Sequence, residues 1–140
     1  MGKRREARET VLNVLYYYEI DKCDITKLLE QIPHQKDVNK KLSDYIKRLI
    51  EATIKNLDTI DKKVKKAVEN WDMDRIAIVD KSILRFATAE ILYFPDIPIK
   101  VSIDEAVEIA KKFSTEKSGA FINGILDKIA RSENLLEKRK

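Results

Sequence analysis

Apolar side chains return every three or four residues along almost the whole chain, and little interrupts them. Ala7, Val11, Val14, Leu15 and Tyr18 make one stripe at helical spacing. A second stripe holds Val38, Leu42, Tyr45, Ile46, Leu49, Ile50, Thr53 and Leu57. A third holds Ile60, Val64, Ala67, Val68 and Trp71, and a fourth Ile76, Val79, Ile83, Phe86 and Ala87. Ile103, Ala106, Val107, Ala110 and Phe113 form another, and Phe121, Ile122, Ile125, Leu126 and Ile129 the last. Between the first two, Ile25, Leu28, Leu29 and Ile32 suggest a short helix that Asp24 caps and Pro33 ends. Only 3 Gly and 3 Pro occur in 140 residues, too few for the turns of a strand-rich fold. The expectation is an all-α fold of about seven helices, with residues 1–140 as one domain.

Local signals refine this expectation. Asp58 and Asp72 are cap candidates, and Ser102–Glu105 has the form of a capping box opening its helix. Gly124 weakens the last helix, so a close neighbouring helix or chain is expected there. Glu90 lies in register with apolar residues and needs a hydrogen bond or a cation. Arg75, Arg85 or a helix N-terminus are the expected partners.

Several chemistries are excluded. One Cys, Cys23, allows no internal disulfide, and one His, His34, leaves too few ligands for a structural zinc. No Walker loop, dinucleotide fingerprint or nucleophile elbow is present, and Cys23 lies between Asp21 and Asp24, which oppose a thiolate. No apolar run is long enough for a membrane span, and no apolar segment follows the basic start as in a signal peptide. A cytoplasmic binding protein is expected, without catalytic residues, metal or cofactor.

The formal charge is +4, and its excess lies at the ends. Lys3, Arg4, Arg5 and Arg8 face only Glu6 in the first eight residues. Arg131, Lys138, Arg139 and Lys140 outweigh Glu133 and Glu137 in the last ten. A basic arm over residues 1–8 suits a polyanion, although a solvated terminus has the same composition. On a helical wheel Arg5, Leu12 and Tyr16 fall together away from the first stripe, which suggests a partner surface. The alternative is a second part of the core.

Three segments add a resemblance. "KRREARETVLNVLY" (Lys3 to Tyr16) looks like the arginine-rich first helix of the NusB transcription antitermination factors. "WDMDRIAIVDKSILRFATAEILY" (Trp71 to Tyr93) resembles their central motif, and "VSIDEAVEIAKKFSTEKSGAFINGILDKIA" (Val101 to Ala130) their C-terminal signature. The segments occur in the family's order and spacing.

The resemblance implies two small three-helix bundles packed together and no enzymatic activity. It implies binding to the boxA element of nascent ribosomal RNA transcripts with NusE, a small-subunit ribosomal protein. The resulting complex helps RNA polymerase read through terminators in rRNA operons. Some relatives dimerise, so a homodimer stays open. Positions matching RNA contacts are Lys3, Arg4, Arg5, Arg8, Lys117, Ser118 and Phe121; Phe121 fits the core equally well. Many relatives look acidic where this chain has Lys117. Tyr16 and Asp80 match the NusE surface, and Leu12 shares the wheel face of Tyr16.

Overall fold

A computed structural model describes residues 2–21, 40–69, 73–133 and 135. Helix α1 spans Gly2–Asp21, α2 Lys40–Lys55 and α3 Leu57–Val68. A 3₁₀ turn, Met73–Arg75, leads into α4, Ile78–Tyr93. Helix α5 spans Ile99–Phe113 and α6 Glu116–Ser132. The secondary structure of the described residues is all helical, as the apolar periods require. The expected short helix from Asp24 to Pro33 lies outside them, as do Cys23, His34, Val38, Trp71, Asp72, Lys138, Arg139 and Lys140.

Helix α4 is the axis of the fold and packs against each of the five other described helices. Every residue from Asp80 to Ile91 is buried, so α4 has no solvated face. Helices α1 and α2 pack on α4 and on each other, while α5 and α6 make the second group around it. Helix α3 bridges α4 and α6. A helix enclosed on all sides must still place its polar residues, and α4 carries Asp80, Lys81, Arg85 and Glu90. Their partners come from the outer helices. Arg85 donates to both oxygens of Asp61 on α3, at 2.9 Å each, and to Glu19 on α1 at 2.7 Å. Lys81 reaches the same Glu19 at 3.3 Å.

Two start signals shift. Asp58 lies in the first turn of α3 and its cap position is Asn56, whose side chain donates back to the Ala52 carbonyl at 2.8 Å. Helix α5 starts three residues before the expected box, because Pro98 takes the cap position with φ −59°. Proline holds φ near this value and lacks the N–H that a helix start leaves unbonded. Ser102 and Glu105 therefore lie inside α5, and both side chains turn to other helices.

Within the chain, the close helix approach expected at Gly124 is found instead at Gly119. A Cβ on Gly124 meets nothing within 4 Å, and the residue is exposed. A Cβ on Gly119 would stand 3.0 Å from Lys111 Cγ and 3.5 Å from Val107 Cγ1, where α6 crosses α5.

Candidate nucleic-acid interface

The basic start of the chain is not a loose arm. It forms the first two turns of α1, and its cations divide into two kinds. Lys3 and Arg4 are exposed. Arg5 keeps 41% of its side chain exposed, yet its Nε and Nη2 donate to Glu105 at 2.9 and 2.7 Å. Arg8 is 2% exposed. Its Nε donates to Glu90 Oε2 at 3.1 Å, its Nη2 to Glu90 Oε1 at 2.6 Å, and its Nη1 stands 3.8 Å from Glu105. Ser102 Oγ donates to Glu90 Oε1 at 2.7 Å, and the Tyr45 hydroxyl donates to Glu90 Oε2.

One carboxylate thus gathers α1, α2 and α5 onto α4. Arg8 is its cation, in place of the expected Arg75 or Arg85, and Arg8 is too enclosed to contact RNA. A buried charge needs a counter-charge and hydrogen bonds to compensate for lost water. Burial opposes the Arg8 charge, but the bonds and field of Glu90 raise its pKa above the ordinary value. Burial first, and then the charge of Glu90, push the Tyr45 hydroxyl well above its usual range, so it remains a donor. The hydrogen bonds from Arg5 hold the Glu105 carboxyl below the ordinary value, against the opposing effect of burial. Sequence spacing did hold a signal for this cluster. Arg8 is in register with Leu12 and Leu15, one and two turns on, as Glu90 is with its own stripe.

A second group lies where the 3₁₀ turn and α4 meet the start of α6. Arg75, Ile76, Ala77, Asp80, Lys117, Ser118 and Phe121 line a cavity of about 390 Å³. Thr115 caps α6, its hydroxyl accepting from the Ser118 N–H at 3.0 Å. Lys117 and Ser118 consequently sit in the first helical turn rather than in a loop. Ser118 Oγ donates to Asp80 Oδ2 at 2.9 Å, while Asp80 Oδ1 has no partner among the described residues. Asp80 is only 7% exposed. Residues expected on separate RNA and protein surfaces therefore share one cavity. Phe121 is half-buried: it packs on the core and also lines the cavity. Arg75 was expected near Glu90, but it is an exposed cation on this rim.

The expected partner face around Tyr16 divides as well. Leu12 is 3% exposed and belongs to the core, so it is not a surface residue. Helix α1 is covered by both α2 and α4, and its buried sector widens to Ala7, Arg8, Val11, Leu12, Val14 and Leu15. Tyr16 is half-buried, its ring edge-on to that of Tyr17 with centroids 6.4 Å apart. Tyr17 and Ile20 are 61% and 55% exposed. Among the described residues no cluster of His, Cys, Asp or Glu could hold a metal, and no helix is long and apolar enough to cross a membrane.

The fold and these surfaces define a class: a helical domain braced on one buried polar helix, with a basic helix start and a mixed polar–aromatic cavity. Comparison with known proteins makes it specific. The chain belongs to the NusB family, whose model matches residues 5–131. The transcription antitermination protein NusB of Thermodesulfovibrio yellowstonii is 46% identical over 141 aligned residues, covering 94% of this chain and 93% of that protein. Among solved structures, T. maritima NusB superimposes with a TM-score of 0.87 at 40% identity, covering 96% of both chains. A structure of the antitermination factors NusB and NusE with double-stranded RNA matches at 0.84 and 27% identity, over 94% of this chain and 98% of that one.

Proposed function

We propose that this chain is a transcription antitermination factor that binds the boxA element of nascent ribosomal RNA transcripts together with a NusE-type ribosomal protein. In this reading residues 1–140 work as one RNA- and protein-binding domain in the cytoplasm. It catalyses no reaction. By bridging transcript and protein it helps the elongating polymerase pass terminators in rRNA operons. The observation that carries the reading is the near full-length match to a NusB solved with both NusE and RNA.

The geometry supports a division of labour. Lys3 and Arg4 project at the N-terminal end of a 20-residue helix, where unbonded N–H groups add positive potential. Phosphates and unpaired bases suit those exposed cations. Lys117 occupies the equivalent turn of α6, next to Phe121, whose partly open ring suits stacking. Tyr16 offers the protein partner an aromatic surface, and Asp80 acts through Ser118, which it orients.

A gel shift with boxA RNA and a scrambled control, with and without NusE, tests this. Binding that favours boxA and tightens with NusE is expected. NusE binding without any RNA preference would leave only a protein-interaction scaffold.

A further inference from the structure

We propose that Arg48 on α2, together with Arg4, forms a second phosphate-binding step that carries the RNA from the start of α1 across α2. The proposal rests on the RNA-binding reading above and extends its surface. Arg48 belongs to none of the three motifs that carry the family resemblance. Its placement is visible only in three dimensions.

Apart from Arg75, the described arginines fall into two sets. Arg5, Arg8, Arg85 and Arg131 are each bonded to a carboxylate. Arg4 and Arg48 have none among the described residues, and each lies instead on an aromatic ring. The guanidinium carbon of Arg4 is 4.7 Å from the Tyr45 ring centroid, and that of Arg48 is 4.4 Å from the Phe94 ring centroid. Asp44 and Glu51, about one turn to either side of Arg48, make no ion pair with it. An aromatic face holds a guanidinium without cancelling its charge, as a carboxylate does. Both arginines are exposed, so each charge faces water.

The two rings form one support. Tyr45 and Phe94 meet edge to face, with centroids 6.0 Å apart and planes at 86°. Both are buried, and Tyr45 is tied to Glu90 through its hydroxyl. The contacts run in the order Arg4, Tyr45, Phe94, Arg48, from one exposed guanidinium through two buried rings to the other. These contacts, placed end to end, keep the two guanidinium carbons within about 15 Å, a short stretch of a strand. Side chains held in place lose less freedom on binding than free ones. A phosphodiester backbone fits two held, uncancelled cations, one of them at the α1 start. A protein partner would need carboxylates at the same spacing.

The experiment measures RNA affinity against salt for the full chain and for Arg48→Gln, Arg48→Lys and Arg4→Gln, with boxA and scrambled RNA. Arg48→Gln is expected to weaken both RNAs by a similar factor and to flatten the log–log salt slope by about 0.7. Arg48→Lys should keep the slope, because a phosphate accepts either cation. Thermal melting should be nearly unchanged for both. If Arg4→Gln flattens the slope and Arg48→Gln does not, RNA does not cross α2 and the proposal fails while the RNA reading stands. If Arg48→Gln weakens NusE and not RNA, Arg48 faces the protein, and the proposal fails in that way. If the unaltered chain binds neither RNA, with or without NusE, the underlying reading fails first and this proposal with it.

Discussion

Glu90 shows how much one residue can organise. It accepts from Arg8, Tyr45 and Ser102, so it joins three helices to the buried α4. Glu90→Ala leaves the Arg8 guanidinium buried without a counter-charge, and removing one partner of such a pair costs about 3–5 kcal/mol. Urea denaturation should show a loss of that size, whereas Tyr45→Phe, which removes one bond to a charged group, should cost about 1.5–3 kcal/mol. Glu105 sets the acid behaviour. Its folded pKa lies below the unfolded carboxylate value of about 4.3, so its stabilisation is complete above that value. It is lost as pH falls through the lower folded value, because the unfolded chain then binds the proton first. Glu105→Gln should therefore be less stable than the parent at neutral pH and lose less on acidification, as followed by denaturant midpoints across an acid series. Glu90 was marked as anomalous by its apolar register, but its partner stands 82 positions away in the chain. No local pattern connects such positions.

At the scale of the element, α1 is a structural clamp as well as the proposed RNA-binding edge. An arm that merely carried charge could be removed without harm, and the basic composition of residues 1–8 suggests as much. The helix begins at Gly2, however, and Arg8 is locked inside. Deleting residues 1–8 should lower the urea midpoint, as well as weaken RNA binding, because Glu90 is left uncompensated. Lys3→Gln with Arg4→Gln separates the two effects. That pair should flatten the RNA salt slope by up to about 1.4. Its stability should change by no more than about 0.5 kcal/mol for each substitution. Lys117→Asp tests the start of α6 through opposite signs. An added carboxylate in a first turn favours the helix by about 0.3–1 kcal/mol. Repulsion should at the same time weaken boxA binding at low salt, and melting and gel-shift measurements on one variant read both. Ser102 illustrates the limits of local reading at this scale. Its capping-box spacing is real, but Pro98 starts the helix a turn earlier and frees the hydroxyl for Glu90.

Across the whole molecule, enclosure of α4 decides which surfaces remain for partners. Because α1 is covered on two sides, Leu12 enters the core and Tyr16 stays at the border. Leu12→Ala should cost about 2–5 kcal/mol, as other buried leucines do. Tyr16→Asp should cost much less and still abolish the NusE complex. Thermal melting and a pull-down with purified NusE distinguish the two; a stability loss for Tyr16→Asp as large as that for Leu12→Ala would place Tyr16 in the core instead. The same enclosure brings Asp80 under Ser118, so a polar pair joins the surfaces around Lys117 and α4.

The sequence by itself determined the described helical elements, because an apolar period of three to four residues depends only on near neighbours and the backbone. It also carried the family resemblance, and the concentration of cations at the start of the chain. Tertiary structure decided which of those cations are free. Arg5 and Arg8 are drawn to carboxylates on α5 and α4, while Arg4 and Arg48 rest on the rings of Tyr45 and Phe94. At Arg8 the reason is desolvation: a charge taken out of water must find its opposite, and here the opposite charge, Glu90, arrives from a helix remote in the chain.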